Sequence, residues 1–105
     1  MKLKPIKDKK KIATIFEKGR VINGRSISVR VFKFEGEEPG YVISVPKKNF
    51  PLAVNRNLLK RRIRASMARL IMPLNDVSFF LIYISKKTLS VSAIIEECEK
   101  LFSKV

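Results

Sequence analysis

Histidine and tryptophan are absent from this 105-residue chain, and cysteine occurs once, as Cys98. Without histidine the chain cannot assemble a Ser-His-Asp triad, a Cys-His pair or the usual zinc site, and one cysteine forms no internal disulfide. Acidic residues are also scarce: nine Asp and Glu stand against 23 Lys and Arg. A self-sufficient nuclease needs converging carboxylates for metal ions or a histidine base. Here Glu35, Glu37 and Glu38 share one turn, and Glu96, Glu97 and Glu99 one C-terminal helix. No apolar run approaches the roughly 20 residues that span a bilayer. The start MKLKPIKDKKK has the charge of a signal peptide but not its apolar stretch. These absences make a cytoplasmic protein without catalytic machinery of its own the expectation.

Hydrophobic residues make up 46% of the chain and charged ones 30%, enough to bury a core and too much for a disordered tail. The length suits one domain, residues 1–105, with no linker or repeat. The net charge of +14 is unevenly spread. Residues 1–20 contribute +6 and residues 39–75 contribute +8 with no acid at all, while the remaining segments balance. Cations concentrated in this way repel one another, a cost that an anionic partner relieves, and nucleic acid is the leading candidate. A membrane surface is disfavoured because the basic helix has no broad apolar face beyond what a core uses.

Asp8 as a cap, Ile12, Ile15 and Phe16 at helical spacing, and Gly19 as a stop predict a short amphipathic helix. Residues 27–34 alternate, with Ile27, Val29 and Val31 facing one way, and residues 41–45 read as a second strand. The intervening Glu35-Gly36-Glu37-Glu38-Pro39-Gly40 turn predicts that these two strands pair as an antiparallel hairpin. From Leu52 to about Ile71 the period is helical, with Leu59, Ile63, Met67 and Leu70 along one stripe and Pro73 and Asn75 ending it. Residues 77–84, VSFFLIYI, form the apolar run of an interior strand. A last helix from about Ser90 places Val91, Ile94, Ile95, Cys98, Leu101, Phe102 and Val105 on one face, so Cys98 reads as a core residue. The order is αββαβα, an α+β sandwich.

On the helical wheel of 52–71, Asn57, Lys60, Arg61 and Arg64 gather opposite the apolar stripe, with Arg62 and Arg69 at the flank. A solvated helix face normally mixes signs to gain i,i+4 ion pairs, and no acid occurs between Glu38 and Asp76. Phosphate binding is therefore favoured over a merely solvated surface.

The same residues carry a resemblance. Lys47-Lys48, followed by Ala53-Val54-Asn55-Arg56-Asn57-Leu58-Leu59-Lys60-Arg61-Arg62-Ile63-Arg64, resembles the signature of the protein component of bacterial ribonuclease P. In that signature a strand ending in Ser-Lys-Lys leads to a helix reading Arg-Asn-Arg-x-Lys-Arg-x-x-Arg. Ile15-Phe16-Glu17-Lys18-Gly19 resembles the end of the family's first helix, Arg25 falls on a family arginine, and Leu101-Phe102 resembles its closing helix. The chain departs from the pattern at Leu58, where the family has its second arginine, at Pro46 and at Asn49-Phe50-Pro51-Leu52. It departs also at Ile12 and Arg30, where relatives often have aromatics.

The resemblance implies an αβββαβα sandwich similar to one domain of a ribosomal protein, with the basic helix in a left-handed crossover. It implies a protein subunit that is not catalytic. Its partners would be a catalytic RNA, which performs the hydrolysis with Mg²⁺, and precursor tRNA, whose 5′ leader is removed; no obligate protein partner is evident. By position, Arg56, Asn57, Lys60, Arg61 and Arg64, with Lys47 and Lys48, would face RNA, and Phe16, Ile12 and Arg30 would border a leader cleft. The competing reading is a general RNA-binding protein of ribosomal type, which would share the charge pattern but not the Lys-Lys and Lys-Arg-x-x-Arg spacing.

Overall fold

The computed structural model describes residues 4–69 and 77–104. The positions Leu70, Ile71, Pro73, Asn75 and Val105, named above as helix face or helix stop, lie outside the described residues. Eight elements follow in chain order: β1 (Lys4–Pro5), α1 (Lys9–Lys18), β2 (Arg20–Asn23), β3 (Ile27–Phe32), β4 (Gly40–Ser44), α2 (Ala53–Arg69), β5 (Ser78–Tyr83) and α3 (Val91–Phe102).

Local chemistry accounts for the helix boundaries. Asp8 caps α1 by accepting from Lys10 N at 2.9 Å, and Ser90 caps α3 by accepting from Ala93 N at 3.3 Å. Gly19 ends α1, though not through a left-handed conformation. Its φ is −67°, and its N–H donates to Ile15 O at 2.9 Å. Glycine is needed there because a Cβ would collide with the Ile15 carbonyl and lie 3.2 Å from Val31 O.

The strands form one five-stranded sheet in the order β1-β4-β5-β3-β2. β5 occupies the centre, antiparallel to β3 and parallel to β4. The expected β3–β4 hairpin is therefore absent: β5 lies between the two strands. The physical reason is that β5 is the most apolar strand and gains most from neighbours on both edges and cover on both faces. The loop over residues 33–39, with its proline, is no tight hairpin turn that would force direct pairing. The residue pattern also missed β2, a four-residue strand between Gly19 and Gly24 in which Ile22 is buried and Val21 exposed. With β2 in place, the order after the two-residue β1 is αβββαβα.

Strand alternation divides the sheet into two faces. Ile27, Val29 and Val31 of β3 and Phe79, Leu81 and Tyr83 of β5 meet Leu59 and Ile63 of α2 and Ile94, Cys98, Leu101 and Phe102 of α3 in the core. Phe79 and Phe102 pack edge to face at 5.2 Å. Cys98 lies within this core, and its thiol is pushed up to about 12 by burial and by the nearby charge of Glu97. α1 covers part of the opposite face, where Phe16 meets Phe80 of β5. Glu97 of α3 also holds the β2–β3 turn, accepting from Ser26 N at 2.7 Å and Ile27 N at 2.6 Å. A Cβ on Gly24 would stand 2.9 Å from the same carboxylate oxygen.

Candidate nucleic-acid interface

α2 buries a narrow stripe that includes none of its cations. Leu59, Ile63 and Ser66 are buried against α3 and the sheet, whereas Asn57, Arg61, Arg64 and Arg69 are exposed and Lys60 is half-buried. Ser66 is a polar residue on the buried stripe, and its hydroxyl bonds to Arg62 O at 2.7 Å and Val91 O at 3.3 Å, joining α2 to α3. Asn57, Lys60, Arg61 and Arg64 form no side-chain hydrogen bond or ion pair with another described residue; the ion pairs lie elsewhere, at Lys11–Glu37 and Lys100–Glu96. No acid occupies the first turn of the helix. A rigid row of cations, Lys60, Arg61 and Arg64, unpaired among the described residues and with Asn57 beside them, suits phosphate oxygens spaced along a nucleic-acid backbone. Leu58, which replaces the expected second arginine, is half-buried at the side of this face and takes no part in the core cluster.

Two arginines of the helix are engaged differently. Arg62 donates from Nη1 to Leu89 O at 2.9 Å, tying α2 to the loop before α3. Arg56 is half-buried, and its Nη1 donates to Phe50 O and Pro51 O, both at 2.9 Å. Spacing along the helix could not distinguish these from free cations, because the accepting carbonyls belong to other segments.

Lys47 and Lys48 are exposed in the turn that links β4 to α2. The turn is anchored by Phe50, which is buried with its ring 5.7 Å from that of Tyr83. Asn49 N and Phe50 N donate to Pro46 O, and Asn49 Nδ2 donates to Ile84 O at 3.4 Å. The Asn-Phe-Pro-Leu departure thus supplies an aromatic anchor to the core.

On the other face of the sheet, Arg30 and Phe16 come together. The Arg30 guanidinium lies over the Phe16 ring, 4.0 Å from its centroid, and Nη1 donates to Phe16 O at 2.5 Å. Phe16 in turn packs edge to face on Phe80 at 5.9 Å while remaining 45% exposed. Ile12, one turn earlier on α1, is half-buried. Phe80 was missed as part of this group; the signal was the two-residue alternation within SFFLIY, which sends Phe80 and Ile82 to the face opposite Phe79 and Leu81.

Among the described residues no three His, Cys, Asp or Glu side chains converge to hold a metal ion, and no helix is long and apolar enough to cross a membrane.

Comparison with known proteins agrees with this geometry. A sequence model of the family described as Ribonuclease P matches residues 1–105. The fold is similar to that of the RNase P protein of Staphylococcus aureus, with a TM-score of 0.83 at 24% identity over 98% of this chain and 95% of that one. It is similar also to the RNase P protein of Thermotoga maritima, with a TM-score of 0.82 at 19% identity over 97% of each chain. No curated protein matches. The family match over residues 1–105, on a fold whose basic helix turns its cationic face away from the core, means that the chain belongs to the ribonuclease P protein family, as the RNA-binding, non-catalytic subunit of an endoribonuclease that processes tRNA.

Proposed function

We propose that the exposed face of α2, with the Lys47–Lys48 turn, seats this chain on the catalytic RNA of ribonuclease P, and that the cleft between α1 and the sheet receives the 5′ leader of precursor tRNA. The observation that carries this reading is the set of cations on α2 that are unpaired among the described residues, opposite the buried Leu59 and Ile63. Asn57, Lys60, Arg61 and Arg64 contact phosphates, joined by Lys47 and Lys48, and Arg56 stands at the edge of the surface with one amino group committed to the turn. Across the sheet, Phe16 offers part of its ring, backed by Phe80 and covered on one side by Arg30, with Ile12 alongside. Stacking of a base on such a ring contributes roughly 1–3 kcal/mol. Hydrolysis belongs to the RNA, with Mg²⁺ held at its phosphates, and the complex works in the cytoplasm without an obligate second protein.

Reconstitution tests this reading. Purified chain added to a ribonuclease P RNA transcript at limiting Mg²⁺ should stimulate cleavage of precursor tRNA at the mature 5′ end. Chain freed of RNA should leave the substrate intact. Cutting by the RNA-free chain, or no stimulation of the RNA, overturns the proposal.

A further inference from the structure

Arg56 sits in the first turn of α2, where the unpaired amides of a helix start give a positive potential that disfavours a cation. No acid in that turn offsets it, and Lys47, Lys48 and Lys60 add charge of the same sign nearby in sequence. The side chain nonetheless turns back toward the preceding loop. One amino group, Nη1, bridges the carbonyls of two consecutive residues, Phe50 and Pro51, at 2.9 Å each. The negative ends of those two carbonyl dipoles meet the guanidinium where the helix start repels it. The bridge closes the C-terminal side of the turn whose other anchors are the buried Phe50 ring, the Asn49 bond to Ile84 O and the two amide bonds to Pro46 O. Lys47 and Lys48 stand exposed between these anchors.

We infer that Arg56 is a positioning residue, which promotes RNA binding by holding the Lys47–Lys48 turn in one conformation beside α2. The inference rests on the reading that this turn and α2 face RNA. Lysine takes over the task poorly, because its nitrogen stands one bond closer to the backbone than Nη1 and its ammonium is a more strongly hydrated point charge. Charge and position are therefore separable at this residue.

Two measurements on the full chain test it. The first is trypsin nicking of the free protein at Lys47 and Lys48, which needs no RNA: Arg56→Lys should accelerate it at that turn and leave other sites unchanged. The second is a double-mutant cycle of Arg56→Lys with Lys47→Ala/Lys48→Ala, read as affinity for a ribonuclease P RNA transcript at several salt concentrations. Arg56→Lys keeps the formal charge, yet should weaken binding several-fold and lower the log-log salt slope by about 1–2 units, at roughly 0.7–0.9 per lost phosphate contact. The triple variant should bind no more weakly than Lys47→Ala/Lys48→Ala. Wild-type nicking and affinity in Arg56→Lys, or effects that multiply in the triple variant, overturn the inference and make Arg56 an independent phosphate contact. Should Arg56→Lys melt below the assay temperature, Arg56→Gln replaces it in the nicking assay, which does not depend on charge at this position; loss of the fold in both variants overturns the inference, because Arg56 then serves the core. A salt-independent wild type refutes the prior reading of an RNA-facing surface and is recognised as such by the first titration.

Discussion

Cys98 shows how a single environment decides what a reactive side chain does. The thiol is fully buried among Ile94, Leu101 and Phe102, and burial, with the charge of Glu97, pushes its pKa from the ordinary 9.0 up to about 12. The thiolate is the nucleophile, so the folded chain holds an unreactive cysteine at neutral pH. A thiolate-directed alkylating reagent at pH 8 should modify Cys98 only as fast as the fold opens, and denaturant should accelerate the reaction sharply. The same shift has a thermodynamic sign. Because the folded pKa lies above the unfolded one, the contribution is complete below about pH 9 and is lost as pH rises toward about 12. The denaturation midpoint of the wild type should therefore fall more between pH 8 and pH 11 than that of Cys98→Ala, which has no thiol to titrate. Parallel decline in the two proteins would show that the thiol is not held neutral.

At the scale of the element, α2 combines two surfaces that substitutions can separate. Ile63 is completely buried between α3 and the sheet, whereas Arg61 and Arg64 project into solvent. Ile63→Ala should destabilise the fold by roughly 2–5 kcal/mol, the range of a buried large-to-small change. Arg61→Ala combined with Arg64→Ala should leave thermal stability nearly unchanged, because neither side chain is paired with another described residue, while weakening RNA binding. Thermal melts and RNA titrations of the two proteins check both halves. Stable RNA affinity in the double arginine variant would move the binding surface off this helix face. Leu58 fits the same geometry: half-buried at the edge of the charged face and outside the core cluster, it occupies an arginine position of the family without disturbing packing.

For the whole molecule, charge is the dominant property. The excess of +14 resides in residues 1–20 and 39–75, and the fold distributes these stretches over α1, the β4–α2 turn and α2. Lys11 is drawn off by Glu37 at 2.6 Å, but most of the remaining cations stay exposed. Affinity for structured RNA should consequently fall steeply with salt, with a log-log slope of several units at about 0.7–0.9 per neutralised phosphate. Binding measured from low to moderate salt checks this, and a slope near zero would mean that the cations serve something other than RNA phosphates.

The residue pattern alone determined the three helices, the cap at Asp8, the start of the last helix near Ser90, the apolar interior strand and the cationic face of α2, because periodicity and capping are local properties of the chain. It also carried the family, through the spacing of Lys47, Lys48, Arg56, Asn57, Lys60, Arg61 and Arg64. Strand partners were not legible in it. Alternation says which face a strand buries, not which neighbour it takes, and β5 came between β3 and β4 because an apolar strand is best covered at the centre. The short β2 also escaped, since four residues between glycines hold too little pattern. Only the tertiary structure could divide the arginines of α2 into those free for phosphate and those bound to backbone. Arg56 and Arg62 are alike in sequence to Arg61 and Arg64, but the carbonyls of Phe50, Pro51 and Leu89 are brought to them by folding. Likewise Phe16, Arg30 and Phe80 become neighbours only because α1 lies across the sheet face that Arg30 and Phe80 share in register.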